Sequence, residues 1–539
     1  MKGKVTSFNF ILVFFVSLGS FLYGFNSSIM GTVFGLPYFY SYFNLDTTGP
    51  RASFTNNILG GKDNVLPSTV NGLIELSVSA CNGLYSAGGI FGCICLPWLA
   101  NSLGRKVTIQ ITCAVCVVAA TLQCAAVQIA MLLVGRFFGG FGAAMMNCIV
   151  PLYMSEVSPP AQRGRLVGQH GFLLVMGYAL AGWTGLGCYF ETNPQVQWRL
   201  CLGLQLVAPL ILALGSPWIP ESPRFLLKQD RAAEALDLLR RLHESPNDPN
   251  YLMAREECAQ IQNQLRADAL MPKGFLATLR VPSYRNRFLL GIFVQFLAQS
   301  TGVLVVNNYQ VILLNGLGVT GFMPLLLYAV YASWAAVLNC VSAFIVDRAG
   351  RVRMLCIGLT GCSLMMTVYT ALVASFSGTS NKAGQACAVL FLYLFVTFYA
   401  SCIDAVSYVY CSEIFPTELR AGGMSASVAT LFATTLLYTQ PAPTAFANIG
   451  WKYYLIFILV PILGVPILYY IAPETKGLSL EEVAACFGDE VAMDLTHMSK
   501  EERELVDQEL LNGHISATDI PRANDKHMAM AKDEQREVA

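Results

Sequence analysis

Residues 153–159 read YMSEVSP, and 257 positions later residues 410–416 read YCSEIFP, so one Tyr-x-Ser-Glu-x-x-Pro pattern occurs twice. An arginine follows each string, Arg163 in the first copy and Arg420 in the second. Two more pairs of strings repeat in the same order at similar offsets: Asn101–Lys106 with Asp347–Arg351, and Trp198–Glu221 with Trp451–Glu474. Three repeats in one order indicate that the chain contains two related halves.

Around these strings, each half contains six apolar segments of about 20 residues, the length at which a helix crosses a bilayer. Hydrophobic residues make up 55% of the 539 residues and charged residues 13%, which excludes an ordinary soluble domain. The predicted spans are 8–30, 76–99, 107–127, 130–153, 166–188 and 200–218, then 288–314, 324–346, 354–376, 384–410, 424–446 and 453–472. We therefore predict an all-α membrane protein whose twelve transmembrane helices form two pseudo-symmetric six-helix bundles.

The basic residues of the connecting segments fall on one side of the predicted membrane: Arg105, Lys106, Arg163, Arg165, those of 224–287 and 348–353, and Arg420. Because cytoplasmic loops collect Lys and Arg, we expect both termini in the cytoplasm. We expect a multi-pass protein of the plasma membrane, with the lipid bilayer as its surroundings. A formal net charge of zero gives no indication of nucleic-acid binding.

The predicted organisation has four regions: an N-terminal bundle at 1–218, a cytoplasmic helical insert at 219–286, a C-terminal bundle at 287–472, and a largely disordered cytoplasmic tail at 473–539 with a frayed helix near 501–511. Parallel repeats of this kind place a solute site between the halves, near the membrane midplane. The sequence contains no catalytic triad, metal-ligand cluster or phosphate loop in a suitable context, so we predict no enzymatic activity, cofactor or metal.

Six motifs occur in a fixed order along the chain: Gly135-Arg136 with Gly140 and Gly142, the string from Glu156 to Arg163, Pro220–Arg224, Asp347–Arg351, the string from Glu413 to Arg420, and Pro473–Thr475. Over residues 19–482 the chain resembles the sugar porter family of the major facilitator superfamily. The resemblance implies the major facilitator fold and transport of a sugar or polyol by alternating access. The chain departs from the family pattern at Asn101, where an acid is usual, and at Pro97, where a glycine is usual.

Acidic and basic side chains occur together at the predicted cytoplasmic helix ends, as the pairs Glu156 with Arg163, Glu413 with Arg420, Asp347 with Arg351 and Glu221 with Arg224, and with Arg105 beside them. Their repeated spacing suggests a latch that holds the halves together when the transporter faces outward and separates when it opens inward. The alternative is that the arginines only fix the topology.

Three ionisable side chains fall inside predicted spans, where each needs a function or a partner: Arg136, His170 and Asp404. In proton-coupled relatives an acid on the first span pairs with the fourth-span arginine, whereas this chain has Asn26 at that position. An amide does not titrate, which favours facilitated diffusion. Asp404 is an acid elsewhere, so proton symport through Asp404 stays open beside a role in solute binding or structure. His170 is either part of a proton relay or a packing residue.

Among the positions that bind hexose in the family, Gln299 matches the family pattern, while the others have become Gly171, Ala298, Leu304, Ala335, Ala400, Tyr408, Phe432 and Thr435. Polar residues reappear one helical turn away, at Asn308 and Asp404. We predict that the solute contacts Gln299, Asn308, Asp404, Tyr408, His170 and Phe432. We assign gating or coupling to Asn26, Arg136 and Tyr309.

The predicted function is transport of a small polyhydroxylated solute by facilitated diffusion. The altered ligand set weighs against D-glucose and leaves a disaccharide, a polyol or a cyclitol-like acid open. Alternatives are a proton-coupled sugar symporter, with protons as a second partner, and a non-transporting nutrient sensor. An exporter of drugs or metabolites is opposed by the order of the motifs.

Overall fold

The computed structural model describes residues 7–43, 67–158, 163–243, 251–269, 280–319, 321–376, 379, 381–416, 419–476, 483 and 486–488. Within these ranges the regular structure is helical, and twelve helical segments are long and apolar enough to cross a membrane. The segments, numbered as spans 1 to 12, are Ser7–Val33, Ser79–Ser102, Arg105–Cys124, Ile129–Val157, Leu166–Tyr189, Pro194–Trp218, Pro282–Asn315, Met323–Val346, Arg351–Phe376, Lys382–Glu413, Arg420–Phe446 and Gly450–Ile471. The predicted twelve-helix membrane architecture is confirmed.

Some spans consist of one helix, which in places runs beyond the apolar core: Pro67–Ser102, Arg105–Cys124, Ile129–Val157, Arg163–Tyr189, Met323–Ala349 and Arg351–Phe376. The other spans are interrupted helices: Ser7–Val16 with Leu18–Val33, Pro194–Gly203 with Val207–Gly215, Pro282–Ser300 with Val303–Gly316, Lys382–Cys402 with Asp404–Glu413, Arg420–Thr439 with Ala442–Ile449, and 3₁₀ turn Gly450–Tyr454 with Leu455–Ile471. A short helix, Pro37–Tyr42, follows span 1.

Glycines allow the helices of the first half to approach backbone to backbone. A Cβ added at Gly24 in span 1 would lie 1.9 Å from the carbonyl oxygen of Leu174 in span 5. A Cβ at Gly140 in span 4 would lie 1.9 Å from the carbonyl oxygen of Tyr85 in span 2. Within lipid the hydrophobic effect does not drive one helix onto another, so association depends on close van der Waals contact. The glycines allow that contact between spans 1 and 5 and between spans 2 and 4.

The most extensive contacts between the two halves are those of span 5 with span 8 and of span 2 with span 11. At the first pair, a Cβ added at Gly182 would lie 2.9 Å from the Cα of Ala329. At the second, a Cβ at Gly83 would lie 2.0 Å from the side-chain oxygen of Gln440. The central site is enclosed between these two contacts.

Two helix interruptions place polar residues at the centre of the second half. In span 7 the first helix ends at Ser300, and Gly302 takes a φ of 81°, which favours glycine, before the second helix begins at Val303. In span 10 the helix is interrupted at Ile403, directly before Asp404. These breaks orient the side chains that form the candidate site.

Helices also occur within the predicted cytoplasmic insert, at Pro223–Lys228, Ala232–Leu242 and Leu252–Ala269. Leu238, Leu239 and Leu242 lie on the buried face of the second helix. His243 at its end pairs with Glu257 of the third helix. The helix expected near 501–511 lies outside the described residues.

Candidate solute and gating sites

Two small cavities lie between the halves, one on each side of the second helix of span 7. The first, called here the amide cavity, has a volume of about 10 Å³ and is lined by Tyr23, Ser27, Asn82, Tyr85, Ser86, Leu304, Asn308, Phe432, Thr435 and Thr439. The second, called the tyrosine cavity, has a volume of about 20 Å³ and is lined by Val175, Tyr178, Val303, Asn307, Tyr328, Tyr331, Ala332, Ala335, Val396, Tyr399, Ala400 and Asp404. Each has room for about one water molecule, so a hexose-sized solute requires the surrounding helices to separate.

Span 7 contributes to both cavities through adjacent residues of one helix. Leu304 and Asn308, four residues apart, line the amide cavity, whereas Val303 and Asn307 line the tyrosine cavity. Residues spaced by four share a helix face, so successive residues of this helix serve opposite sides. The second helix of span 7 thus divides the central region between the halves into two cavities.

Asp404 is the carboxylic acid among the residues that line the tyrosine cavity, and its side chain is buried. Its Oδ2 accepts a hydrogen bond of 2.8 Å from Nδ2 of Asn339 in span 8. Because an ionised carboxylate only accepts, this bond fixes the orientation of the amide and leaves Oδ1 of Asn339 without a partner. Among the described residues no lysine or arginine forms an ion pair with Asp404.

A network of polar side chains joins the halves behind the cavities. Asn147 of span 4 donates a 3.0 Å hydrogen bond to the hydroxyl of Tyr408 in span 10. The ring of His170 lies 4.9 Å from the ring of Tyr408, and its Nδ1 is 2.7 Å from the hydroxyl of Ser20. His170 and Tyr408 therefore lie in the contact between the halves, beside the cavities.

The remaining predicted solute contacts are also near the centre. Asn308 and Phe432 line the amide cavity. The centroid of the Phe432 ring lies 6.1 Å from that of Tyr23 and 6.2 Å from that of Tyr85. Gln299 lies near Tyr399, which lines the tyrosine cavity. The structure thus brings the six predicted residues into one region, and their contact with a solute stays a prediction.

Sequence reasoning missed several residues of this region: Asn147, Asn339, Tyr23, Tyr178, Tyr328, Tyr331 and Tyr399. The available signal was chemical, because each side chain carries a polar group within an apolar span and needs a partner there. The spacing of the residues does not reveal which of these groups face the centre.

Arg136 and Asn26 are neighbours, as expected, but the contact uses the main chain of Asn26. The fully buried guanidinium donates through Nη1 to the carbonyl oxygen of Asn26 at 3.1 Å. Its Cζ atom lies 4.3 Å from the centre of the Tyr85 ring, a cation–π contact. Two main-chain carbonyls, those of Asn26 and Cys81, and an aromatic face thus surround this arginine.

Tyr309, assigned to gating from the sequence, is buried and donates a 2.9 Å hydrogen bond to the carbonyl oxygen of Thr439. This bond joins spans 7 and 11 within the second half. Contacts between the halves in the same part of the bundle are the hydrogen bond of Ser28 with Tyr328, and that of Trp183 Nε1 with the hydroxyl of Ser333 at 2.9 Å. The site is closed at this end.

At the end of the bundle that carries the basic loops, acid–base contacts join side chains from different spans of the same half. Arg105 binds both carboxylate oxygens of Glu156, at 2.9 and 2.8 Å. In the second half Arg351 contacts Glu413 at 3.1 Å. The sequence pairs these acids with Arg163 and Arg420, and those pairings stay predictions. The side chains of Arg163 and Asp347 lie outside the described residues.

A second acid in each half caps a transmembrane helix. Glu221 accepts hydrogen bonds from the main-chain N–H groups of Arg105 and Lys106 at the start of span 3. Glu474 accepts in the same way from Arg351 and Val352 at the start of span 9. Burial raises the pKa of the Glu221 carboxyl, and these N–H groups oppose that shift. Glu221 and Glu474 therefore act as helix caps, a role that the sequence did not predict.

The guanidinium of Arg420 lies close enough to stabilise the Glu156 carboxylate electrostatically. Glu156 belongs to the first half and Arg420 to the second, so this attraction acts between the halves. The other acid–base contacts described above act within one half.

Twelve spans in two related halves, closed around central polar cavities, define this protein as a membrane transporter. A family profile described as "Sugar (and other) transporter" matches residues 12–487. The chain belongs to this sugar transporter family of the major facilitator superfamily.

Several relatives are similar over most of their length. The MFS-type transporter criB of Aspergillus cristatus is 31% identical over 474 residues, which are 88% of this chain and 92% of that protein. The high-affinity glucose transporter of Kluyveromyces lactis is 30% identical over 423 residues, 75% of this chain and 76% of the relative. The quinate permease of Neurospora africana is 28% identical over 493 residues, 87% of each.

Among solved structures, the proton:xylose symporter XylE bound to 6-bromo-6-deoxy-D-glucose superposes with a TM-score of 0.73. It is 20% identical and covers 90% of this chain and 100% of its own. At 20% sequence identity, this structural similarity shows that the two proteins share a fold.

Proposed function

We propose that this protein carries a small polyhydroxylated solute, a sugar or polyol, across the membrane by alternating access. The observation that carries the proposal is the divided central site, which amide, hydroxyl and tyrosine side chains from both halves line. Such groups bind hydroxyl-rich solutes by hydrogen bonds and by contact with ring faces. The relatives that are a glucose transporter and a quinate permease agree with a solute of this class.

The proposed mode is facilitated diffusion. At the first-span position Asn26 supplies no titratable group, and Arg136 is held by a carbonyl oxygen and the Tyr85 ring. Solute then moves down its own gradient as the halves rock about the two pairs of spans at their interface. We place the protein in the plasma membrane with both termini in the cytoplasm, following the basic loops.

Proton symport is the second candidate, and Asp404 favours it. A buried carboxylate with one amide partner and no ion pair is costly in its charged form, so protonation would relieve that cost when the site closes. In this mode the proton enters and leaves through Asp404.

Uptake in a transport-deficient host tests both modes. A panel of labelled hexoses, disaccharides, polyols and cyclitol acids is offered to cells that express the protein and to cells that do not. Accumulation that collapses on addition of a protonophore would support symport and refute facilitated diffusion. Absence of uptake for every member of the panel would refute the proposed solute class.

A further inference from the structure

The tyrosine cavity combines a buried acid with aromatic walls. Tyr178, Tyr328, Tyr331 and Tyr399 line it together with Asp404, and all five side chains are at least nine-tenths buried. Most of the remaining lining is valine and alanine. The chemistry of the cavity is therefore that of an aromatic cage with a carboxylate in its wall.

Unpartnered oxygen atoms occur in and behind this wall. Oδ1 of Asn307 and the hydroxyl of Tyr331 line the cavity and have no hydrogen-bond partner among the described residues. Behind them, Oδ1 of Asn339 and Oε1 of Gln299 are also unpartnered. Three of these atoms are amide oxygens, which only accept, and the Tyr331 hydroxyl can donate or accept. Buried polar atoms are almost always hydrogen-bonded, so the unpartnered amide oxygen of Asn307 in the cavity wall favours a ligand that carries donors.

A protonated amine meets these requirements better than a hydroxyl does. It offers several N–H donors, where a hydroxyl offers one. It supplies the positive charge that Asp404 lacks, and its attraction to tyrosine faces adds a cation–π contribution. The low dielectric of the membrane interior strengthens both effects.

We propose that the tyrosine cavity is a subsite for a protonated amine and that the solute is an amino sugar or amino polyol. The inference rests on the proposed function, since the amide cavity then binds the hydroxyl groups of the same solute. Asp404 forms an ion pair with the amine, and Asn339 is a positioning residue that holds the carboxylate. The tyrosine rings enclose the cation.

The test uses three solutes that share one hexose skeleton and differ in charge: D-glucosamine, D-glucose and D-glucuronate. Initial uptake of each labelled compound is measured in proteoliposomes that contain the full chain, at about pH 6, where the amine is protonated. We expect glucosamine to be preferred over glucose by about tenfold or more in kcat/KM, and glucuronate to be the poorest solute.

Two variants locate the source of the preference. Asp404→Asn is expected to lower the ratio of glucosamine to glucose uptake by about tenfold. The control is Asp237→Asn, an exposed carboxylate in the helix Ala232–Leu242, which should keep the wild-type ratio. If the Asp404 variant does not fold, the ratio of glucosamine to glucose uptake by the wild-type protein still tests the proposal.

Equal or better transport of glucose or glucuronate overturns the amine subsite and leaves the proposed function standing. Glucosamine uptake that matches glucose and collapses with the proton gradient also overturns it, because Asp404 then serves the proton. If no compound of these three or of the wider panel is moved, the proposed function itself fails and the inference with it.

Discussion

At the scale of single residues, Asp404 and Asn339 form the contact on which the central site depends. The carboxylate and the amide come from spans 10 and 8, and both side chains are buried. A charged group in this position gains from every hydrogen bond that it accepts, because water does not replace a lost partner easily. The pair therefore fixes where the acid points.

Replacement of Asn339 by alanine should weaken solute binding while the protein stays in the membrane. Loss of a hydrogen bond to a buried charged group costs about 1–3 kcal/mol, so we expect KM to rise by about tenfold. The measurement is the concentration dependence of uptake, with the amount of protein in the membrane determined in parallel.

Thr360→Ala is the control for Asn339→Ala, since the partner of the Thr360 hydroxyl among the described residues is the carbonyl oxygen of Cys356 in its own helix. It should leave KM unchanged. An unaltered KM in Asn339→Ala would contradict the role given to the Asp404–Asn339 pair.

At the scale of helices, close approach at glycine positions holds spans 1 and 5 together. The added Cβ of Gly24→Ala would meet the main-chain carbonyl of Leu174, which cannot move aside like a flexible side chain. Overpacking of this kind costs about 1–3 kcal/mol. We expect a lower melting temperature of the detergent-solubilised protein, read from loss of the monodisperse peak after heating.

Gly187→Ala is the matched control within span 5. A Cβ at Gly187 meets nothing within 4 Å, so alanine there should leave the melting temperature unchanged or raise it slightly. If both variants have the melting temperature of the wild-type protein, close packing at Gly24 does not hold spans 1 and 5 together.

The helices also show where sequence reasoning succeeds and where it ends. The twelve spans follow from apolar length, and the repeats at 153–159 and 410–416 establish the two halves. The direction of a polar side chain depends on helix rotation and on the breaks at Gly302 and Ile403. Spans that are apolar on all sides have no hydrophobic periodicity from which the rotation of a helix or the position of a break can be predicted. The sequence therefore did not identify Asn339 and the tyrosines as residues of the central site.

The acid–base contacts show the same limit. The nearest base along the chain was taken as the partner of Glu156 and of Glu413. The structure brings Arg105 and Arg351 to these acids from neighbouring spans, contacts that the sequence did not predict. Partners that are distant in sequence are fixed by tertiary packing, whereas the presence of both charges at the helix ends was predictable.

At the scale of the whole molecule, attraction between Glu156 and Arg420 acts across the two halves at the end with the basic loops. Alternating access requires such contacts to separate in one state and to form in the other. Glu156→Ala or Arg420→Ala should lower the initial rate of uptake by about tenfold with the protein still in the membrane. The initial rate of uptake and the amount of surface-labelled protein are measured in the same cells.

Glu234→Gln serves as the control for the latch, because Glu234 forms an exposed pair with Arg231 in the cytoplasmic insert. It should transport at the wild-type rate. If both alanine variants take up solute at the wild-type rate, Glu156 and Arg420 do not form a latch, and such charges only fix the topology.

Counterflow in proteoliposomes tests the central claim most directly. Vesicles that contain the protein are loaded with an unlabelled solute of the panel and diluted into a trace of the labelled solute, with a protonophore present. The account predicts a transient accumulation of label above its equilibrium level, because a carrier that alternates between two sides exchanges solute without a proton gradient. Entry of label no faster than in protein-free vesicles, for every sugar, polyol and amino sugar tested, would contradict it.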